Sequence, residues 1–218
     1  MCITMTYNKS FTMKFVTLFV FSFFSFACSQ VDKKTNVEVG DNMKETIDNK
    51  KYGEELIENN FLIFANVEKI DFLKIELINS FNIYDDENNK FVQIDAEELS
   101  EFNFDFFLPQ LNKILEKRNM NLIVKTASDY EKTNDIIINE EKINLYTKEQ
   151  LDNKTFLDSA PRNFFSKVNE ILKTKSLDEK FFLLYTGNDL SALLLTDKQF
   201  EIIKKYYEND PEEIPYLP

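Results

Sequence analysis

The chain has no histidine, no tryptophan, three glycines and two cysteines. Without histidine, Ser-His-Asp and Cys-His catalysis are excluded, and so are zinc sites of the histidine type. Gly40, Gly53 and Gly187 stand apart from one another, so neither a phosphate-cradling loop nor a dinucleotide-binding turn can be assembled from them. The lack of tryptophan counts against a sugar-stacking cleft. Carboxylates are plentiful, which leaves a glycosidase-like acid pair or a calcium site open in chemical terms. No Asp-x-Asp-x-Asp-Gly loop is present, however. The nearest run, Tyr84-Asp85-Asp86-Glu87-Asn88-Asn89-Lys90, reads as a polar hairpin turn between two strands. No catalytic residue, metal or cofactor is therefore expected.

Basic residues are the next shortage. Lys and Arg together number 26 against 38 Asp and Glu, a formal net charge of −12. Nucleic-acid binding needs a basic footprint, so no nucleic-acid partner is expected. An acidic surface suits a basic protein partner, or simply keeps the molecule soluble. Cys2 and Cys28 offer no disulfide framework, so the fold must rest on its core. The 22 phenylalanines, with Ile and Leu, supply that core.

Long apolar runs are confined to the start. After Met13-Lys14, residues Phe15 to Phe24 are apolar except for Thr17 and Ser22, and small residues then precede a cysteine. A short basic lead, a short apolar run and a small-residue end form a secretory signal, too short to span a bilayer stably. Its last four residues, Ser25-Phe26-Ala27-Cys28, resemble the lipobox of bacterial lipoproteins, with Ala27 and Cys28 at the two key positions and Ser25 where that family prefers leucine. The resemblance implies that the chain is cut before Cys28, so that residues 1–27 are a removed signal peptide; Met1 to Thr12 fit such a signal poorly and Met13-Lys14 fits it well, so Met13 is expected to be the true start. It also implies that Cys28 carries the lipid attachment (palmitate and further acyl groups) and tethers the mature chain to the membrane. Ser29, where an aspartate would signal inner-membrane retention, points to the outer membrane.

Residues 28–51 read as a flexible tether with room for a short helix within Met43 to Asn49, and 52–218 as a single α+β domain that opens with a helical turn or two at Gly53 to Ile57. Phe61 to Ala65 has the length of a strand, and a helix follows Asn66. Hairpins are expected at 81–84 with 91–94 and at 135–138 with 142–146, and strands at 120–125, 179–186 and 190–195. Asp95, Thr147 and Thr196 each begin a capping box, and helices are expected from Leu108, from Asn163 and from Thr196. Leu157 to Arg162 reads as a loop.

Two stretches repeat the same order. Lys90 to Leu99 aligns with Lys142 to Leu151, and Leu111-Asn-Lys-Ile-Leu115 with Val168-Asn-Glu-Ile-Leu172, which suggests hairpin–helix–strand units over 81–126 and 134–186. The fold class expected is α+β: an antiparallel sheet of hairpins with helices packed on one face, and the apolar strands 181–184 and 192–195 at its centre. Asn112 and Asn169, at matching places in the two units, read as exposed or cap-linked polar positions beside an apolar stripe, with polar groups facing a shared cleft as the functional alternative. Tyr146 and Tyr185 end apolar strands, and the Pro-rich tail at 211–218 is expected to pack on the sheet.

Three functional classes fit this outline. The first is a lipid-anchored envelope protein acting by protein–protein contact, for example an immunity-type protein that captures a basic partner. The second is a carboxylate-based hydrolase of envelope glycans, recognisable by two buried acids of raised pKa facing one cleft. The third is a structural envelope lipoprotein.

Overall fold

The structure, a computed structural model, describes the backbone of residues 35–218 and the side chains of residues 44–218. The signal segment, Met13 and Cys28 lie outside the described residues. Among the described residues no helix is long and apolar enough to cross a membrane.

The first described element is helix α1 (Thr35–Glu58), so most of the expected tether is helical instead. Its polar sequence hides the helix. What holds α1 is packing against α2 (Ile70–Ser80), which runs antiparallel to it: Asn49 Nδ2 donates to the Asn79 carbonyl at 2.9 Å, and Gly53 meets Leu77. A Cβ at position 53 would lie 2.2 Å from the Leu77 carbonyl oxygen, so glycine is what lets the two backbones approach. The connecting residues 59–66 are turns, and the strand expected at 61–65 is absent. Phe61, Leu62 and Ala65 are nonetheless buried, so an apolar run of strand length was filled as core without a sheet partner. Asn66 caps the next turn by accepting from the Glu68 N–H.

The chain then continues through β1 (Phe91–Gln93), α3 (Ala96–Ser100), α4 (Leu108–Glu116), β2 (Val124–Thr126), α5 (Tyr130–Thr133), β3 (Asp135–Ile138), β4 (Glu141–Asn144), α6 (Lys148–Asp152), α7 (Phe156–Thr174), β5 (Glu179–Leu184), β6 (Ser191–Thr196) and α8 (Asp197–Tyr206). Two antiparallel three-stranded sheets result, in the orders β1-β6-β5 and β2-β3-β4. The fold class is α+β, as expected. The hairpin proposed at 81–94 does not form, because β1 pairs instead with β6, about a hundred residues later. The segment 157–162, expected as a loop, belongs to α7 with Pro161 inside the helix. A proline there forgoes one helical hydrogen bond. Buried Ala160, Phe164 and Phe165 on either side supply packing that outweighs the loss.

The β5–β6 pair is buried on both faces, and helices cover both. Phe181, Leu183, Ala192 and Leu194 enter one core with α3, α4, α7 and the second sheet. Phe182, Leu184, Leu193 and Leu195 enter another with α1, α2 and α8. Strict alternation along a strand delivers these two sets to opposite sides. The outer edge of β5 is closed by the C-terminal tail, where Leu183 and Tyr216 exchange two backbone hydrogen bonds of 2.7 Å. Arg162 holds that tail, stacking on the Tyr216 ring and donating to the Leu217 carbonyl.

The two similar stretches have matching geometry. Phe107, just ahead of α4, and Leu111, Ile114 and Leu115 within it correspond to Phe164, Val168, Ile171 and Leu172 of α7, and all eight are buried. Both helices end alike. Met120 and Leu177 bond back to the carbonyls of Leu115 and Leu172, and Asn119 and Ser176 take positive φ values of 56° and 59°. Asn112 then bridges both backbone groups of Leu122, and Asn169 does the same for Phe181. These asparagines are therefore not free polar positions; each fastens its helix to the strand that follows. The strand orders of the two open sheets correspond as well, β2-β3-β4 to β5-β6-β1.

Candidate functional site

Three charged side chains from distant parts of the chain meet under the first turn after α1. Glu179, opening β5, accepts from Lys90 Nζ at 2.6 Å, from Arg118 Nε at 2.6 Å and from Arg118 Nη2 at 2.8 Å. Arg118 also donates to the carbonyls of Asn89 and Ile114, and Lys90 to that of Leu194. Their apolar cover is Phe64, 4.1 Å from the Arg118 guanidinium carbon, and Phe61, over which Lys90 sits. All three groups are buried. Burial pushes Lys90 down to about 8, against the opposing pull of Glu179. Burial works to raise the Glu179 carboxyl, but the Arg118 hydrogen bond and the two cations outweigh it and hold the group below its usual range. Glu179 is thus held as a carboxylate, the reverse of what a general acid needs.

Beside this triad opens a cleft of about 530 Å³. Glu58, Asn59, Asn60 and Ile63 line one wall; Asp178, Glu179, Asp197 and Lys198 lie opposite. Lys198 is paired with Glu55, and Asp197 with Lys180. Gln199, inside the Thr196 capping box, reaches across to the Asn59 carbonyl at 2.9 Å and fixes the width at that point. A second hollow of about 460 Å³ lies on the other side of the turn at 177–179, lined by Asn169, Lys173, Lys180 and the C-terminal Leu217 and Pro218. The turn at 177–179 therefore separates two concavities, one acidic and one of mixed character.

At the tip of the α1–α2 hairpin, Ile63 and Val67 are 64% and 81% exposed, and Phe72 and Ile75 on α2 are each 53% exposed. Phe72 and Ile75 share a helix face by their three-residue spacing. Asn66 ties this tip to the acidic turn at 85–88: its N–H donates to the Glu87 carbonyl and its Nδ2 to Glu87 Oε2, both at 2.9 Å.

The other residues singled out from sequence have structural partners. Tyr146 donates to the Ser100 carbonyl within the core. Tyr185 donates to Glu213, and Tyr84 approaches the same carboxylate oxygen at 3.5 Å. Burial and then this carboxylate raise Tyr185 to about 12. The run Tyr84–Lys90 is no exposed turn, because Asn88, Asn89 and Lys90 are buried. Among the described residues, no group of three or more acidic or cysteine side chains is placed to hold a metal ion.

Sequence reasoning missed Lys90, Arg118 and Glu179. A signal existed: the chain has only two arginines, Arg118 and Arg162. Lysine serves for solvation, whereas a rare arginine is favoured where a planar fork must meet a carboxylate or stack on a ring. Both arginines here do so. No family model matches the chain, and no curated protein or solved structure matches it either.

Proposed function

We propose that the chain is a lipid-anchored protein of the bacterial envelope, tethered through Cys28 to the outer membrane, that acts by protein–protein contact, as an immunity-type protein does. The observation that supports this most is the tip of the α1–α2 hairpin. Ile63, Val67, Phe72 and Ile75 stay in water within thirteen residues of chain, whereas the other exposed large apolar side chains among the described residues, Ile47, Phe106, Ile123, Leu151 and Leu217, are scattered singly along the sequence. Exposed apolar side chains grouped in this way mark a contact surface. The hydrolase reading is weakened by Glu179, a buried carboxylate held ionised by two cations.

Two measurements test the proposal. Intact mass of the protein purified from membranes should match a chain beginning at Cys28 plus acyl groups, and the Cys28→Ala variant should lack that species. A photo-reactive residue at position 72 or 75 should cross-link in cells to a defined partner. An unmodified chain starting elsewhere removes the anchor, and no cross-linked partner removes the contact reading.

A further inference from the structure

We infer that the acidic cleft at the end of α1 receives a cationic protein segment that carries a large apolar side chain. This rests on the contact reading above and names the site and the chemistry of the partner. Ile63 belongs both to the exposed tip and to the cleft wall, so the apolar and acidic surfaces are continuous. Glu58 and Asp178 face the cleft with no hydrogen bond or ion pair of their own, whereas Lys198, the cation on its wall, is already occupied by Glu55. On the other flank of the tip, Asn66 holds the Asp85–Glu87 turn in place. A segment laid over Ile63 thus meets carboxylates on both sides. The walls resist collapse: Gln199 spans the cleft to Asn59, and Glu179 in the opposite wall is held from behind by Arg118 and Lys90.

Position along α1 favours a protein over the bilayer as occupant. Helix α1 is 24 residues long, about 36 Å at the usual rise. The cleft begins at Glu58, its last residue, so it stands at the end opposite the tethered N-terminus. The surplus of acidic groups in the chain also opposes close approach to anionic lipid headgroups.

The test uses the full chain in detergent with labelled isoleucine and valine methyls. The probe is a peptide of about a dozen residues alternating Lys with Leu and Phe, with Glu in place of Lys as control. The Lys peptide should shift the Ile63 and Val67 methyls, and the effect should weaken as salt rises to about 0.15 M. The Ile63→Ser, Asp178→Asn double variant, whose two sites are exposed, should unfold at an unchanged temperature and bind about tenfold more weakly. Equal binding of the Glu peptide, equal shifts at the exposed Ile123 methyl, or undiminished binding by the variant each overturns the inference. Photo-cross-linking in cells separates this from the wider reading. A partner captured from position 63 supports the cleft, one captured from position 123 alone overturns the cleft but leaves protein contact standing, and none from any position overturns both.

Discussion

Phe107 and Phe164 meet edge to face, with ring centroids 5.6 Å apart and planes at 89°. Phe107 directly precedes α4 and Phe164 lies inside the longer α7, yet each stands five residues ahead of an asparagine that fastens its helix to the chain that follows. We propose that the units over 81–126 and 134–186 arose by duplication. Because both rings are fully buried, Phe107→Ala and Phe164→Ala should each destabilise the fold by roughly 3–5 kcal/mol. The double variant should lose less than the sum, since the second truncation removes a ring whose partner is already gone. Denaturant unfolding of the four proteins checks this, and strict additivity would count against a direct coupling.

Asn112 and Asn169 should respond alike. Each satisfies a backbone N–H and a backbone carbonyl at the start of a strand, at distances of 2.7–3.0 Å. Replacing either by Leu leaves both groups without a partner, at about 1–3 kcal/mol each. Comparable losses are expected for Asn112→Leu and Asn169→Leu by thermal unfolding, although one anchors the second sheet and the other the central one. A cost at only one site would show that the matching hydrogen bonds carry different weight.

Caps and tight turns were legible in the sequence, whereas pairing at a distance was not, and neither was the state of the apolar run at 61–65 or of the segment at 157–162. Thr147 and Thr196 form their capping boxes, and Asn139 and Glu140 turn the β3–β4 hairpin with positive φ, because those features depend on residues a few positions apart. The partner of β1 depends on contacts across the whole domain. Phe91-Val92-Gln93 looks the same whether it pairs with residues 81–84 or with β6. For the same reason the candidate site stayed hidden, since positions 90, 118 and 179 become neighbours only after β1, α4 and β5 are assembled. Only short helical pieces at 43–49 and 53–57 were legible within α1, and its full length was not, because its burial is partly polar: Asn49 sits between the Asn79 carbonyl and the Tyr206 hydroxyl instead of joining an apolar stripe.

Gly53 is the position where helix preference and packing conflict. Alanine is the better helix former, worth up to about 1 kcal/mol over glycine. Here its Cβ would press on the Leu77 carbonyl at 2.2 Å, and both partners are backbone. Gly53→Ala should therefore destabilise by about 1–3 kcal/mol, with α1 and α2 forced apart. A gain in melting temperature would mean that the helices separate at little cost.

The buried triad makes the sharpest stability prediction, because removing one member differs from removing all three. Glu179→Gln leaves Lys90 and Arg118 facing each other without a counter-charge and should cost about 3–5 kcal/mol. Replacing Glu179, Lys90 and Arg118 together by Leu, Met and Met should cost far less, because no buried charge remains unpaired. The pH dependence has a defined sign. Lys90 titrates near 8 in the fold against 10.5 for an ordinary lysine, so between those values the unfolded chain binds more protons than the folded one. Stability from this group should then rise with pH across that window, by at most about 1.4 kcal/mol per pH unit. Glu179 acts at the other end: its carboxyl lies below the usual 4.5, so its contribution is present above that pH and is lost as the solution is acidified through its folded value. Unfolding free energies of the wild type and Lys90→Met from pH 3 to 10, compared by difference, check both windows. The alkaline rise should vanish in Lys90→Met, while the acid loss should persist through the remaining Arg118 pair. A rise that survives the substitution would assign the alkaline effect to another group.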